Sequence, residues 1–210
     1  MSAIVSRETM APDAFRAQVN VSRETIARLE TYAAALRRWN QALSLVSAAS
    51  LTDLWRRHFL DSAQLLPLAP SAARVWLDLG SGAGFPGMIL AMLGAPDVHL
   101  VESERRKCEF LRAVARDTAT ELTIHCRRVD DMPALNADVV TARALAPLPR
   151  LIALTGRFAT ADTIGLFPKG ARVVDELTDL AKYPTINVER VASRSSSSGT
   201  ILRVKGFSDT

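Results

Sequence analysis

The sequence of 210 residues predicts an α/β fold: a mostly parallel, seven-stranded sheet that ends in an antiparallel hairpin and is preceded by a layer of helices. Three observations carry this. From Arg74 onward, short apolar runs alternate with helical segments, which implies right-handed crossovers and helices on both faces of a parallel sheet. The first run enters a turn holding Gly80, Gly82, Gly84 and Gly87, where missing Cβ atoms let backbone approach a ligand. The residues before it show helical periodicity alone. The expected boundaries are 1–72 for a helical extension and 73–210 for the sheet domain, packed as one compact unit.

The elements follow in order. Pro12-Asp13 starts a short helix to about Val19. Ser22 is an N-cap with Glu24 in the first turn, and Ile26, Leu29, Ala33 and Leu36 recur at helical spacing to about Ala42. Residues 43–47 form an irregular exit. A second helical region spans 51–66, closed by Pro67 and Pro70. Strands are predicted at 75–79, 98–102, 122–128, 137–142 and 163–167. Helices are predicted at 87–93, 104–119, 148–157 and 171–182. Two alternating runs, 186–193 and 200–207, flank the polar stretch SRSSSSG and read as a hairpin.

Composition bounds the class. Hydrophobic residues make up 48% and charged residues 23%, a globular balance. A net charge of +4 fits a polyanionic partner without demanding one. Cys108 and Cys126 lack metal-ligand spacing, so both are expected as reduced, buried small hydrophobes and no metal site is expected. No apolar run approaches the roughly 18 residues of a membrane span, and residues 1–15 lack the apolar region of a signal peptide. The expected location is the cytosol.

Sheets of this kind bind ligands at the carboxyl ends of their strands. Those ends are Asp78–Gly84, Glu102, Arg128–Asp131, Arg143 and Lys169-Gly170. Glu102, at the tip of the second strand, is placed to hold ribose hydroxyls. Gly82-x-Gly84-x-x-Gly87 matches the dinucleotide fingerprint, but the register argues against it. Asp78 comes first and the tight turn begins at Gly80. Residues 76–84 instead resemble the first motif of class I S-adenosylmethionine methyltransferases, a Rossmann-like fold. There the acid and glycine turn, here Asp78, Gly80 and Gly82, hold the amino-acid end of the cofactor. No Gly-Lys-Ser/Thr follows, which excludes a P-loop. Asp130 and Asp131, after the third strand, suit the adenine edge.

LDLGSGAGFPGMIL, VESERRKCEFLR, RRVDDMP, ADVVTARALAPL and GLFPKG occur in the order and spacing of one family, with RWNQALSLVS and WRRHFLDS ahead of them. The chain resembles the RsmG (GidB) family of bacterial methyltransferases over residues 36–170. The resemblance implies S-adenosyl-L-methionine as cofactor and N7 of one guanine in 16S rRNA as target, within the small ribosomal subunit or an assembly intermediate. It also implies that Gly80, Phe85, Val129, Asp130 and Arg143 contact the cofactor, with Glu102 on the ribose. One position departs: the family usually carries Asn where this chain has Ser44.

Guanine N7 has an in-plane lone pair in the neutral base, so no general base is expected. Catalysis then rests on alignment and desolvation, with Arg143 as the orienting residue. RNA-binding candidates are Arg56, Arg57, Arg105, Lys107, Arg128 and Lys169. Trp39 and Trp55 are read as core, and His58 with Asp61 as a structural pair one helical turn apart. A monomer is expected. The rival readings are a methyltransferase for a small molecule or protein, a nucleotide-binding module selective for NAD, and a non-catalytic assembly factor.

Overall fold

The computed structural model describes residues 9–170, 176–177 and 183–207. Of the helix predicted at 171–182, all but Glu176 and Leu177 lie outside the described residues.

Helix α1 (Pro12–Val19) opens with proline in its first turn and ends at Asn20 in the left-handed region. In α2 (Arg23–Leu43), Ser22 caps the start by accepting from the Thr25 N–H at 3.0 Å. The face carrying Ile26, Leu29, Tyr32, Ala33 and Leu36 is buried. The helix stops at Ser44, with φ 47° and ψ 47°. Asparagine tolerates this conformation better than serine. The family departure therefore lies at an exposed helix end.

The single helix expected over 51–66 is broken. It consists of α3 (Ala48–Thr52), a π-helical turn Trp55–Leu60, α4 (Asp61–Ala63) and a 3-10 turn Leu66–Leu68. The break falls at Asp53, whose carboxylate accepts the Met10 N–H at 2.9 Å and pairs with Arg56 at 3.2 Å.

The strands are β1 (Trp76–Leu79), β2 (Val98–Glu102), β3 (Thr123–Cys126), β4 (Ala137–Ala142), β5 (Ala159–Lys169), β6 (Asn187–Ala192) and β7 (Thr200–Lys205). Their order is β3-β2-β1-β4-β5-β7-β6, parallel through β5, with β7 antiparallel to both β5 and β6. Edge strand β3 is shorter than expected and leaves Cys126 exposed, while Cys108 is buried. The expectation that both thiols are buried is thus corrected for Cys126. Strand β5 starts four residues early, because a register shift between Ala137 and Val139 lets Ala159 pair with Ala137.

Helices α5 (Gly87–Met92) and α6 (Arg105–Asp117) pack on the sheet face that also meets the helical layer, and α7 (Leu148–Gly156) packs on the other. The pleat sorts the residues. Trp76, Val98, Leu100 and Val139 join the first core, and Leu77, Leu79, Val101 and Val140 join the second. Leu29 and Leu36 of the helical layer belong to the same core as Trp76, so the layer and the sheet share their interior. Among the described residues, no helix is long and apolar enough to cross a membrane.

Replacing Ser44 with glycine removes the steric cost of the left-handed residue. It should raise the unfolding free energy by about 0.5–1 kcal/mol, and asparagine should give a smaller gain in the same direction. Urea denaturation of the three proteins measures this.

Candidate active site

Strand β1 delivers Asp78 into the interior and Gly80 to the start of the turn. Gly80 and Gly82 have φ of 69° and 57°, values that favour glycine. A Cβ at Gly82 would meet only the Gly80 carbonyl, at 3.9 Å, so the turn is open there. Asp78 braces the turn from beneath. Its carboxylate accepts from the Gly87 N–H at 3.1 Å and from the Thr141 hydroxyl at 2.8 Å. Burial pushes its pKa up to about 6, against the opposing effect of these hydrogen bonds and of Arg143. Glu102 holds the turn from the side: one carboxylate oxygen accepts the Gly82 N–H at 2.9 Å, the other the Glu104 N–H at 2.7 Å.

Phe85 points away from the open face of the turn, into the helical layer. Its ring stacks with Tyr32 at 5.4 Å and with His58 at 4.7 Å. The Tyr32 hydroxyl donates to the Ala83 carbonyl, tying α2 directly to the turn. Asp78 is 1% exposed and Phe85 3%, so neither side chain offers a surface to a ligand. Both side chains shape the turn, which leaves backbone as the part of these residues that can meet a cofactor.

Arg143 leaves the end of β4 and lies over the Phe85 ring, its Cζ 5.1 Å from the centroid. Its guanidinium donates to His58 Nδ1 at 2.8 Å, to the Arg57 carbonyl at 3.2 Å and to Asp61 Oδ2 at 3.4 Å. His58 and Asp61 therefore meet through Arg143. Burial, then the Arg143 and Arg57 cations, lower the His58 pKa to about 3. The ring is neutral, and since Nδ1 accepts, its proton sits on Nε2.

Val129 and Asp130 lie in a 3-10 turn after β3. Arg157 donates to both their carbonyls at 2.9 Å, and Arg150 pairs with the Asp130 carboxylate at 2.9 Å. The turn is thus held from its outer side. The RNA candidates are dispersed. Arg105 and Lys107 open α6 and pair with Glu109 and Glu104. Lys169 pairs with Glu176 at 2.6 Å, Arg56 pairs with Asp53, and Arg57 and Arg128 are exposed. Trp55 is buried and Trp39 packs on Phe110, as the core reading expects.

A cavity of about 840 Å³ opens beside Arg143. Arg57, His58 and Asp61 form one wall, Leu145 to Pro147 another, and Pro168 to Gly170 a third. The fourth is the β6–β7 loop, which sequence reasoning treated as a generic hairpin turn. Ser195 Oγ donates to Asp61 Oδ1 at 2.6 Å, and the Arg194 N–H donates to Gln64 Oε1 at 2.7 Å. Nothing in the sequence marked Ser195 or Gln64, because each acquires its role from a partner more than a hundred residues away. Among the described residues, no group of His, Cys, Asp or Glu could hold a metal ion.

Comparison with known proteins decides the family. The profile described as rRNA small subunit methyltransferase G matches residues 25–202. The chain belongs to this family. Members similar to it include the ribosomal RNA small subunit methyltransferase G of Rhodospirillum rubrum, 53% identical over 93% of this chain and 97% of the relative. That of Paramagnetospirillum magneticum is 48% identical over 95% and 97%. The methyltransferase G fold is also that of more distant enzymes. Magnesium protoporphyrin IX methyltransferase from Synechocystis, solved with bound S-adenosylmethionine, superposes with a TM-score of 0.59 at 12% identity, covering 88% of this chain and 97% of that one. The ribosomal protein L11 methylase of Lactobacillus delbrueckii gives 0.58 at 17% identity, covering 69% and 78%. The class I fold expected from the sequence is thus the observed one.

Asp78 makes stability depend on pH. Its pKa rises on folding from about 3.8 to about 6, so the folded chain holds the proton more tightly. Its contribution to stability is greatest below pH 4 and falls by up to about 3 kcal/mol as the pH rises through 6. Unfolding free energies of the native protein, minus those of Asp78→Asn, should show this slope between pH 4 and 6.

Proposed function

We propose that this methyltransferase G chain methylates N7 of a guanine in 16S rRNA, acting as a monomer on the small ribosomal subunit or an assembly intermediate. The observation that carries the reading is the fixed guanidinium of Arg143, held between the open glycine turn and the large cavity.

S-adenosylmethionine, when bound, supplies a methyl group already activated by a sulfonium. The chain suits it. The left-handed turn is open at Gly82, so backbone there can approach the amino-acid end, while Gly80 sets the turn beneath it. Glu102 would hold the ribose, and the Val129–Asp130 turn would hold the adenine. Arg143 serves the cofactor carboxylate or the base. Guanine N7 carries its lone pair in the ring plane of the neutral base, so no residue of the chain would have to remove a proton. The neutral His58 and the bound carboxylate of Asp61 accordingly orient Arg143 and do not act as acid or base.

Methylation at N7 would leave a positive charge on the purine. The cavity can accommodate this because its own charges are already matched, Arg143 with Asp61 and Lys169 with Glu176. RNA backbone contact falls to exposed Arg57 and Arg128, with Arg56, Arg105, Lys107 and Lys169 contributing where their surface partners yield.

Mass-spectrometric mapping of small-subunit RNA from cells with and without this protein should show one N7-methylguanosine that depends on it. Unchanged modification, or a new methyl group elsewhere, would overturn the reading. Arg143→Lys keeps the charge but loses the fork that reaches His58, Asp61 and Arg57 together. It should lower the methylation rate at least tenfold while small-subunit binding is retained, as measured by single-turnover transfer and sedimentation.

A further inference from the structure

The loop from β4 to α7 carries Leu145, the one exposed large apolar side chain among the described residues, at 37%. Its position is constrained on both sides. Arg143 is held by His58, Asp61 and the Arg57 carbonyl. Beyond Leu145, the Ala146 carbonyl accepts from Lys169 Nζ at 3.3 Å, and the Leu148 N–H donates to Glu176 at 2.8 Å. The loop cannot readily turn inward to bury the leucine.

Between these anchors Ala144 adopts φ 54°, a left-handed value unfavourable for alanine. Backbone in such a conformation persists where the surroundings impose it, commonly at working sites. Here the turn sends Leu145 onto the cofactor side. A Cβ placed on Gly80 would come within 2.6 Å of Leu145 Cδ1, so the leucine covers the first glycine of the turn. The same side chain lines the large cavity, alongside Pro147, Pro168 and Ile201. It is therefore the partition between the glycine turn and the cavity.

A purine entering the cavity needs an apolar surface for its face and polar groups at its edge. Leu145 supplies the first beside Arg143, which supplies the second. We propose that Leu145 is the platform on which the target purine packs, holding the attacking nitrogen in line with the methyl group and excluding water from the transfer path. This rests on the function proposed above. It adds a substrate-contacting residue that sets alignment.

The test uses the full-length protein with small subunits lacking the modification. Leu145→Ala, Leu145→Asn and Leu145→Phe are compared for single-turnover methyl transfer at saturating cofactor, S-adenosylhomocysteine affinity by calorimetry, and thermal midpoint. Small misplacement of reacting groups can cost a hundredfold. Alanine and asparagine should lower the transfer rate tenfold to a hundredfold, with cofactor affinity within twofold of native and the midpoint unchanged. Phenylalanine, which keeps an apolar platform, should retain at least a third of the native rate. Asparagine, close to leucine in size but polar, separates apolar contact from bulk. Rates within twofold of native for alanine and asparagine would overturn the inference. So would a parallel loss of cofactor affinity, which would make Leu145 a cofactor contact. Failure of the function itself looks different: the native protein would then leave N7 of guanine unmodified.

Discussion

Phe85 is the contact on which the rest of the molecule depends. It belongs to the glycine turn, yet its ring lies among Tyr32 of α2, His58 of the π-helical turn and Arg143 at the end of β4. Three segments far apart in sequence thus converge on one side chain. The turn is held by packing on this side and by carboxylates on the others, Asp78 beneath and Glu102 beside it. Aromatic pairs of this geometry contribute about 0.5–1.5 kcal/mol beyond the area they bury. Their larger effect is positional. The helical layer does not simply cover the sheet, because it sets the angle at which the turn and Arg143 face the site.

That arrangement also commits a buried histidine and a carboxylate to holding one cation. The guanidinium occupies the space between them. It uses the His58 lone pair and one Asp61 oxygen, leaving Asp61 with an oxygen for Ser195 and Gln64. Asp61 therefore joins two walls of the cavity, the β4 end and the hairpin loop. Charge in this region is local and paired. The overall basicity of the chain remains for longer-range attraction to RNA.

Much of this was legible in the sequence where the signal was periodic or positional. Strands β2 and β4 have the predicted bounds, because their apolar runs end at residues that cannot continue a buried strand. Glu102 ends β2 and Arg143 directly follows β4, the strand-tip places that the apolar runs predict. The π-helical turn was not legible. Its apolar residues suit ordinary helical spacing, and the break comes from Asp53 meeting the backbone of Met10, 43 residues earlier. The early start of β5 depends on a register shift, which no local pattern encodes. The family resemblance implies a cofactor contact at Phe85 but says nothing of where its ring packs. Its burial is a property of Tyr32 and His58, which the motif does not contain.

The order of strands has a further consequence for how the chain is made. Strand β5 finds its outer partner in β7, not in β6, so the innermost strand of the hairpin is the last to be synthesised. Until residues 200–205 leave the ribosome, β5 presents an unpaired edge, and the cavity lacks the wall that Ser195 fastens to Asp61. A nascent chain arrested before β7 has its glycine turn and helical layer in sequence but has both an adhesive edge and an open site. Completion of the cavity beside Arg143 and protection of the sheet edge are therefore the same event.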